Sequence, residues 1–109
     1  LPHKRVLYNT LLNYKLINTT MKKQDYWNKF LENCNASSTI KELEQFLNII
    51  LTPAEFDKIA ARYQILSKLI HSNKTQRELA KELNVSIFNI TRGANQLKKI
   101  TEQDKQLIK

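Results

Sequence analysis

Glycine and proline are almost absent from this chain of 109 residues, which contains one glycine and two prolines. Turns, bulges and hairpins recruit these two residues for their backbone geometry. Strands joined by tight turns would need more of them, whereas helices joined by short links need few. The sequence therefore predicts an all-α fold, and a chain of this length is expected to form a single domain.

Capping residues indicate where the helices start. Thr52-Pro-Ala-Glu55 offers a cap, a proline at the first helical position and an acid at the third. Thr39 with Glu42, and Thr75 with Glu78, have the spacing of a capping box. From Met21 onward the sequence predicts six helices, at about 22–34, from 39, at 53–71, 75–83 and 86–98, and from 101.

The apolar residues of the first three helices recur at helical spacing and form wide stripes. The stripe over residues 53–71 is wide enough to be buried on two sides. A chain this short buries only about two-thirds of its unfolded surface, so a monomer would be marginally stable. We therefore expect an intertwined homodimer in which residues 22–71 interlock into a shared core.

Residues 1–20 stand apart, because they carry three basic side chains and no acidic one and end just before Met21. We interpret them as a basic N-terminal extension, either disordered or forming an extra helix. The working domain is then expected to cover residues 21–109.

Positive charge is concentrated in the C-terminal half of the chain. The whole chain has a formal net charge of +8, and residues 58–99 carry nine basic side chains against Glu78 and Glu82. A basic half beside a mildly acidic one favours a face that binds a polyanion such as DNA. A solvated lysine surface is the plainer alternative.

The pattern between residues 76 and 95 predicts a helix-turn-helix. Leu79, Ala80 and Leu83 form the inner face of its first helix, and the small Ala80 lets the second helix cross closely. Asn84 stands where a left-handed backbone is wanted, which asparagine tolerates. Ser86 is expected to cap the second helix, and Val85 and Ile90 to pack behind it. An ordinary helical hairpin with a basic face is the alternative.

The second helix of this motif fits the DNA major groove with its first residues near the base edges. Basic and polar side chains around it can contact phosphates. The residues predicted to bind double-stranded DNA are Gln76, Arg77, Lys81, Ile87, Phe88, Asn89, Thr91 and Lys98.

Several classes of protein are disfavoured by what the sequence lacks. Cys34 is the only cysteine, and His3 and His71 have no metal-like spacing, so no metal site is predicted. No apolar run is long enough to span a membrane, and no signal peptide is recognisable. Paired carboxylates, a nucleophile with a base, and a phosphate loop are not evident, so we do not expect an enzyme. A cytoplasmic protein is expected.

Three stretches resemble the Trp repressor family: Leu51-Thr-Pro-Ala-Glu55, Thr75-Gln-Arg-Glu-Leu79, and Ile90-Thr-Arg-Gly-Ala-Asn95 followed by Leu97-Lys98. The resemblance covers about residues 24–109 and is strongest after residue 45. It implies a six-helix fold and a repressor that binds a pseudo-palindromic operator with L-tryptophan as corepressor.

The resemblance also implies a tryptophan cleft beside the second helix of the helix-turn-helix, which is called the reading helix from here on. The indole would lie between the guanidinium groups of Arg62 and Arg92, which suit an aromatic face. The Thr52 hydroxyl would bind the carboxylate, and Gly93 would let the ring lie against backbone. The remaining implied contacts are the carbonyls of Ile49 and Leu51 with the ammonium, and the side chain of Gln96.

Three positions depart from the family pattern and leave alternatives open. Gln96 replaces a common serine and could narrow the cleft, while Phe88 and Ala80 change the expected set of operator contacts. A ligand-independent helix-turn-helix protein on the same fold is therefore the first alternative. A basic helical module that binds an acidic protein is the second.

Overall fold

The computed structural model describes residues 22–109, so the predicted extension over residues 1–20 lies outside the described residues. The described part of the chain contains six helices and no strand, which confirms the predicted all-α fold. The helices are α1 (Lys23–Asn35), α2 (Ile40–Ile50), α3 (Pro53–His71), α4 (Gln76–Leu83), α5 (Ile87–Lys98) and α6 (Glu102–Lys105).

The helices begin where the capping residues predict. The Thr52 hydroxyl accepts a hydrogen bond from the Glu55 amide at 3.2 Å, and the Thr52 amide donates to the Glu55 carboxylate at 2.9 Å. This reciprocal pair satisfies two free amides at the start of α3. The hydroxyls of Ser86 and Thr101 likewise accept bonds from the amides three residues ahead, at 3.3 and 3.0 Å.

The other two predicted capping boxes differ from the expected pattern. At the start of α2 the Thr39 hydroxyl accepts from the Glu42 amide at 3.1 Å. The Glu42 carboxylate, however, accepts from the Ser38 amide at 2.8 Å, one residue earlier than predicted. The Thr75 hydroxyl accepts from the Glu78 amide at 3.2 Å, which is one half of the box predicted there.

Contacts within the chain divide it into two compact units, one ending at Ile50 and the other running from Leu51 to Lys109. The described part of the first unit consists of α1 and α2. Three aromatic rings contact one another in it: Trp27 stacks on Phe30 with ring centroids 5.3 Å apart, and Phe30 lies 5.7 Å from Phe46. Neither helix contains a buried residue. The single domain expected over residues 21–109 stays a prediction.

The second unit has a closed core formed where α3, α4 and α5 meet. Leu79 and Ile90 are fully buried, and Ile65 of α3 is 7% exposed. Leu69, Ala80, Leu83 and Val85 pack against these three residues. The inner face predicted for residues 79–90 is thereby confirmed, with Ile65 and Leu69 of α3 as its backing.

The opposite side of α3 is not covered by the other helices of the second unit. Phe56, Ile59 and Tyr63 are each more than half exposed. At the end of the same helix the C-terminal segment folds back, since the Tyr63 hydroxyl donates to the Lys109 carbonyl at 3.4 Å and His71 Nε2 lies 3.0 Å from the Ile108 carbonyl. Within the second unit, α4 and α5 therefore cover only one of the two sides of α3 that the sequence predicts to be buried.

Candidate nucleic-acid interface and ligand cavity

The link between α4 and α5 fixes the position of α5. Asn84 has a φ of 53° and is the only non-glycine residue with a positive φ in the described part of the chain. This left-handed residue ends α4, and the Val85 amide then donates to the Ala80 carbonyl at 3.0 Å. Ser86 caps the next helix, so three successive residues determine where α5 begins. The conformation predicted for Asn84 is confirmed.

The first turn of α5 presents apolar side chains to solvent. Phe88 is 76% exposed and Ile87 is 40% exposed, while Ile90 faces the core. An exposed phenyl ring at a helix start makes no contribution to the core of this unit, so its position suits contact with a partner.

A hydrogen bond crosses from α5 to α4 beside this apolar surface. Thr91 Oγ1 donates to Gln76 Oε1 at 3.0 Å. The bond uses the oxygen of the Gln76 amide and leaves its NH₂ group, which has two donors, available to acceptors such as phosphate. Thr91, predicted from the sequence to face DNA, therefore has a partner within the protein.

All eight residues predicted to bind DNA are exposed in the structure: Gln76, Arg77, Lys81, Ile87, Phe88, Asn89, Thr91 and Lys98. Not every nearby cation is free for a phosphate. Glu82 of α4 accepts a hydrogen bond from Lys74 Nζ at 2.7 Å and lies 3.5 Å from Lys68 Nζ of α3. The hydrogen bond from Lys74 is the main reason that the pKa of the Glu82 carboxyl is lowered.

A cavity of about 370 Å³ lies between α3 and α5. Each helix contributes one stripe of residues at helical spacing, so the two stripes face each other across the space. The lining residues are Lys58, Ala61, Arg62, Ile65 and Leu66 of α3, and Asn89, Arg92, Gly93 and Gln96 of α5. The cavity is thus lined by apolar, cationic and amide side chains.

Four of the residues predicted to bind the ligand meet at this cavity, namely Arg62, Arg92, Gly93 and Gln96. The other three do not line it. Ile49 belongs to α2 in the first unit, Leu51 precedes α3, and Thr52 caps α3. The Thr52 hydroxyl uses a lone pair for the Glu55 amide and still has its proton to donate.

Sequence reasoning missed the rest of the lining. Lys58 and Arg62 are four residues apart on α3, and side chains at that spacing share a helix face. That spacing is visible in the sequence, but it does not show which face of α3 meets α5. Asn89, predicted to face DNA, also lines the cavity.

Gly93 has a packing role that the sequence does not reveal. A Cβ placed on it would lie 2.9 Å from Ile65 Cγ2 and 3.2 Å from Leu69 Cδ1. Ile65 is buried and β-branched, so it has little freedom to move away. The glycine therefore permits the close approach of α3 and α5, and its predicted contact with a ligand ring stays a prediction.

Among residues 22–109 no group of three or more His, Cys, Asp or Glu side chains is placed to hold a metal ion. No helix in this range has the length and apolar character needed to cross a membrane.

Comparison with known proteins finds matches over most of the chain. The family model described as Trp repressor protein matches residues 25–109. The chain is 38% identical to a Trp operon repressor homolog of Actinobacillus succinogenes over 77 residues, which are 71% of this chain and 76% of that protein. It is 37% identical to a Trp operon repressor homolog of Chlamydia trachomatis over 90 residues, which are 81% of this chain and 96% of the relative.

Proposed function

The chain belongs to the Trp repressor family, a family of transcriptional repressors and not of enzymes, and from this premise we propose that it represses transcription when L-tryptophan is bound. One observation carries the proposal: the two arginines predicted to hold the indole meet at a cavity whose other wall is α5. The same helix presents Phe88 to solvent at its start. A ligand in this cavity therefore contacts the helix that would read DNA.

In the proposed DNA complex, α4 and α5 act as a helix-turn-helix. The first turn of α5 enters the major groove, where Ile87 and Phe88 can contact thymine methyl groups. Arg77 and Asn89 supply the hydrogen bonds to base edges, and Lys98 contacts a phosphate. The Gln76 amide, held by Thr91, directs its NH₂ group to the DNA backbone.

In the proposed ligand complex, Arg62 and Arg92 lie on the two faces of the indole ring. Guanidinium planes stack on aromatic rings, and either group can also pair with a carboxylate. Ile49, Leu51 and Thr52 do not line the cavity within the single chain. Their predicted contacts with the ligand would therefore have to come from another copy of the chain. The proposed dimer provides such a copy, which carries the same three residues.

The dimer itself is supported by exposed apolar side chains in the described part of the chain. Phe56, Ile59 and Tyr63 of α3 are each more than half exposed, and so is Trp27 of α1. Soluble monomers rarely expose apolar surface on this scale. Two copies would place two reading helices on a pseudo-palindromic operator, about one helical turn apart, a geometry for which the Trp repressor is itself an established example. Such a repressor acts on the chromosome, so we place it in the cytoplasm.

Tryptophan acts as corepressor in this proposal by favouring one arrangement of α5. A ligand shifts an equilibrium between two states only as far as it binds one of them more tightly. The cavity wall formed by α5 supplies such a difference, because any movement of that helix relative to α3 changes the distance between Arg62 and Arg92.

The decisive experiment measures binding of the purified protein to operator DNA at fixed salt, with and without L-tryptophan. We expect tighter binding with tryptophan, and Arg62→Ala should weaken tryptophan binding by about 1–3 kcal/mol through the lost stacking and charged hydrogen bonds. Arg62 lies on α3 and is the cleaner test, since Arg92→Ala also changes α5. Unchanged tryptophan affinity in Arg62→Ala would refute the proposed stacking of the indole between Arg62 and Arg92, which is called the indole sandwich below.

Gln96 favours a second candidate, a repressor on the same fold that needs no ligand. Its side chain lines the cavity and is longer than the serine common in the family. If Gln96 blocks the cavity, DNA binding is independent of tryptophan in the natural chain. Gln96→Ser should then restore both tryptophan binding and its effect on DNA affinity, whereas in the favoured proposal both are already present.

A further inference from the structure

The cavity between α3 and α5 has one more cationic residue than the proposed indole sandwich requires. Three of its nine lining residues are cationic, namely Lys58, Arg62 and Arg92, and none is acidic. The sandwich gives a role to the two arginines. It gives none to Lys58, which stands one helical turn before Arg62 on the same face of α3.

The chemistry of lysine differs from that of the two arginines. A guanidinium is planar and can stack on a ring, whereas an ammonium is a compact point charge on a flexible stem. Lys58 is therefore poorly suited to cover an aromatic face and well suited to approach a single carboxylate. Its charge attracts a ligand carboxylate and repels a ligand ammonium.

One acidic group acts on Lys58 without belonging to the cavity. The pKa of Glu55 is lowered chiefly by its hydrogen bonds with Thr52, and the charge of Lys58 adds to that lowering. The Glu55 carboxylate is already held at the start of α3 by the Thr52 amide, 2.9 Å away. It offsets part of the positive charge, but three cations still face the cavity and one acid stands outside it.

We propose that Lys58 is a further ligand-binding residue, which makes this cavity select aromatic ligands by their net charge. An aromatic acid without an ammonium group gains most from Lys58, a zwitterionic amino acid gains less, and an aromatic amine is disfavoured. This inference rests on the proposed function, since it concerns the same cavity and an aromatic ligand within it.

The test uses three probes that share the indole ring and differ in charge: indole-3-propionate, L-tryptophan and tryptamine. Calorimetry with the full chain compares the natural protein with Lys58→Gln, with the charge-preserving Lys58→Arg, and with Lys99→Gln. Lys99→Gln removes the same charge from a residue that does not line the cavity. Melting curves establish that each variant is folded.

We expect Lys58→Gln to weaken indole-3-propionate binding by about two- to fivefold, the range for an exposed ion pair. Tryptophan should lose less than about twofold, and tryptamine should bind equally or more tightly, because the repulsion has gone. Lys58→Arg should preserve the order of the three probes, and added salt should reduce the differences between them. Lys99→Gln should alter all three affinities by similar small factors.

Two results for Lys58→Gln would overturn the inference. Equal losses for the three probes would mean that Lys58 only supports the structure. No change in any probe would remove Lys58 from the site, and if that came with a smaller salt dependence of DNA binding, its partner would be a phosphate. If the natural protein binds tryptophan while Lys58→Gln shows no charge-dependent effect, this inference alone is wrong. If the natural protein binds none of the probes, the tryptophan proposal is wrong as well.

Discussion

The two units of this chain differ in how completely they bury their apolar side chains. The second unit closes a core around Leu79 and Ile90, which are both fully buried. In the described part of the first unit, α1 and α2 bury no residue completely, and Trp27 remains 54% exposed although it stacks on Phe30. The unit that carries the proposed reading helix thus has a closed core of its own, although one side of α3 stays exposed, and the described part of the other unit has no such core.

This difference has a physical basis in the sizes and positions of the apolar side chains. When two short helices pack together, each contacts the other through a single apolar stripe. Two such stripes cannot enclose bulky aromatic rings on all sides. Three helices that meet at one point can surround a leucine and an isoleucine. The second arrangement limits how far α5 can move relative to α3 and α4, because close-packed interiors deform little.

The largest expected effect comes from truncating a leucine in each unit. Leu79→Ala removes a fully buried side chain and should lower the free energy of unfolding by about 2–5 kcal/mol. Leu31→Ala changes a side chain that is 47% exposed, so at low protein concentration it should lower the free energy of unfolding by less. Its main effect should be weaker self-association. Urea unfolding at two protein concentrations separates these effects. Equal, concentration-independent losses would mean that the two units do not differ in this way.

Gly93→Ala tests how tightly the second unit is packed. The added methyl group would meet the buried Ile65 at 2.9 Å, and overpacking of this kind costs about 1–3 kcal/mol. Alanine recovers up to about 1 kcal/mol through its higher helix propensity, so the clash should prevail by about 1 kcal/mol. Asn95→Ala, an exposed change two residues along α5, is the matched control and should be neutral or stabilising. A stabilised Gly93→Ala would show that α3 and α5 can move apart.

The sequence predicts the helices well because their starts are local. A threonine or serine that caps a helix needs only the amide two or three residues ahead, so Thr52, Ser86 and Thr101 could be identified without knowledge of the fold. Asn84 was predictable for the same reason, since few other residues accept its backbone conformation.

The cavity could be predicted only in part, because its shape depends on which helix faces meet. Arg62 and Arg92 were identified through a family resemblance, and Lys58 shares a face with Arg62 by simple spacing. Neither fact shows that this face lies opposite Gln96 of α5. The bond from Thr91 to Gln76 is likewise tertiary, as the two residues are fifteen positions apart.

Thr91→Val tests the hydrogen bond between α4 and α5 while nearly keeping the shape of the side chain. Both partners are exposed, so the loss of stability should be near the lower end of the range of about 0.5–1.5 kcal/mol. Thr91→Ser keeps the hydroxyl and should retain the bond. We also expect Thr91→Val to weaken DNA binding by freeing the Gln76 amide, and Thr91→Ser to bind normally. If both variants bind DNA equally well, Thr91 has no positioning role.

The smallest effect concerns acid, and it tests the ion pairs of Glu82 within the second unit. The pKa values of the Glu55 and Glu82 carboxyls are lowered chiefly by their hydrogen bonds with Thr52 and Lys74. For Glu82 the main cause is the hydrogen bond from Lys74, followed in effect by the charges of Lys74 and Lys68.

A carboxyl whose pKa is lower in the folded than in the unfolded state stabilises the fold above its unfolded pKa of about 4.3. That contribution is lost as the pH falls through the folded value. Glu82→Gln should therefore make the stability of the protein fall less steeply on acidification below about pH 4.3. Lys74→Gln should flatten the slope in the same way, because it removes the main hydrogen-bond donor to Glu82, whereas Lys74→Arg keeps a charged donor and should leave the slope closer to that of the natural chain. Urea unfolding over a series of pH values at low salt measures the three slopes. If Lys74→Gln leaves the slope as steep as Lys74→Arg does, the hydrogen bond from Lys74 does not stabilise the Glu82 carboxylate in solution.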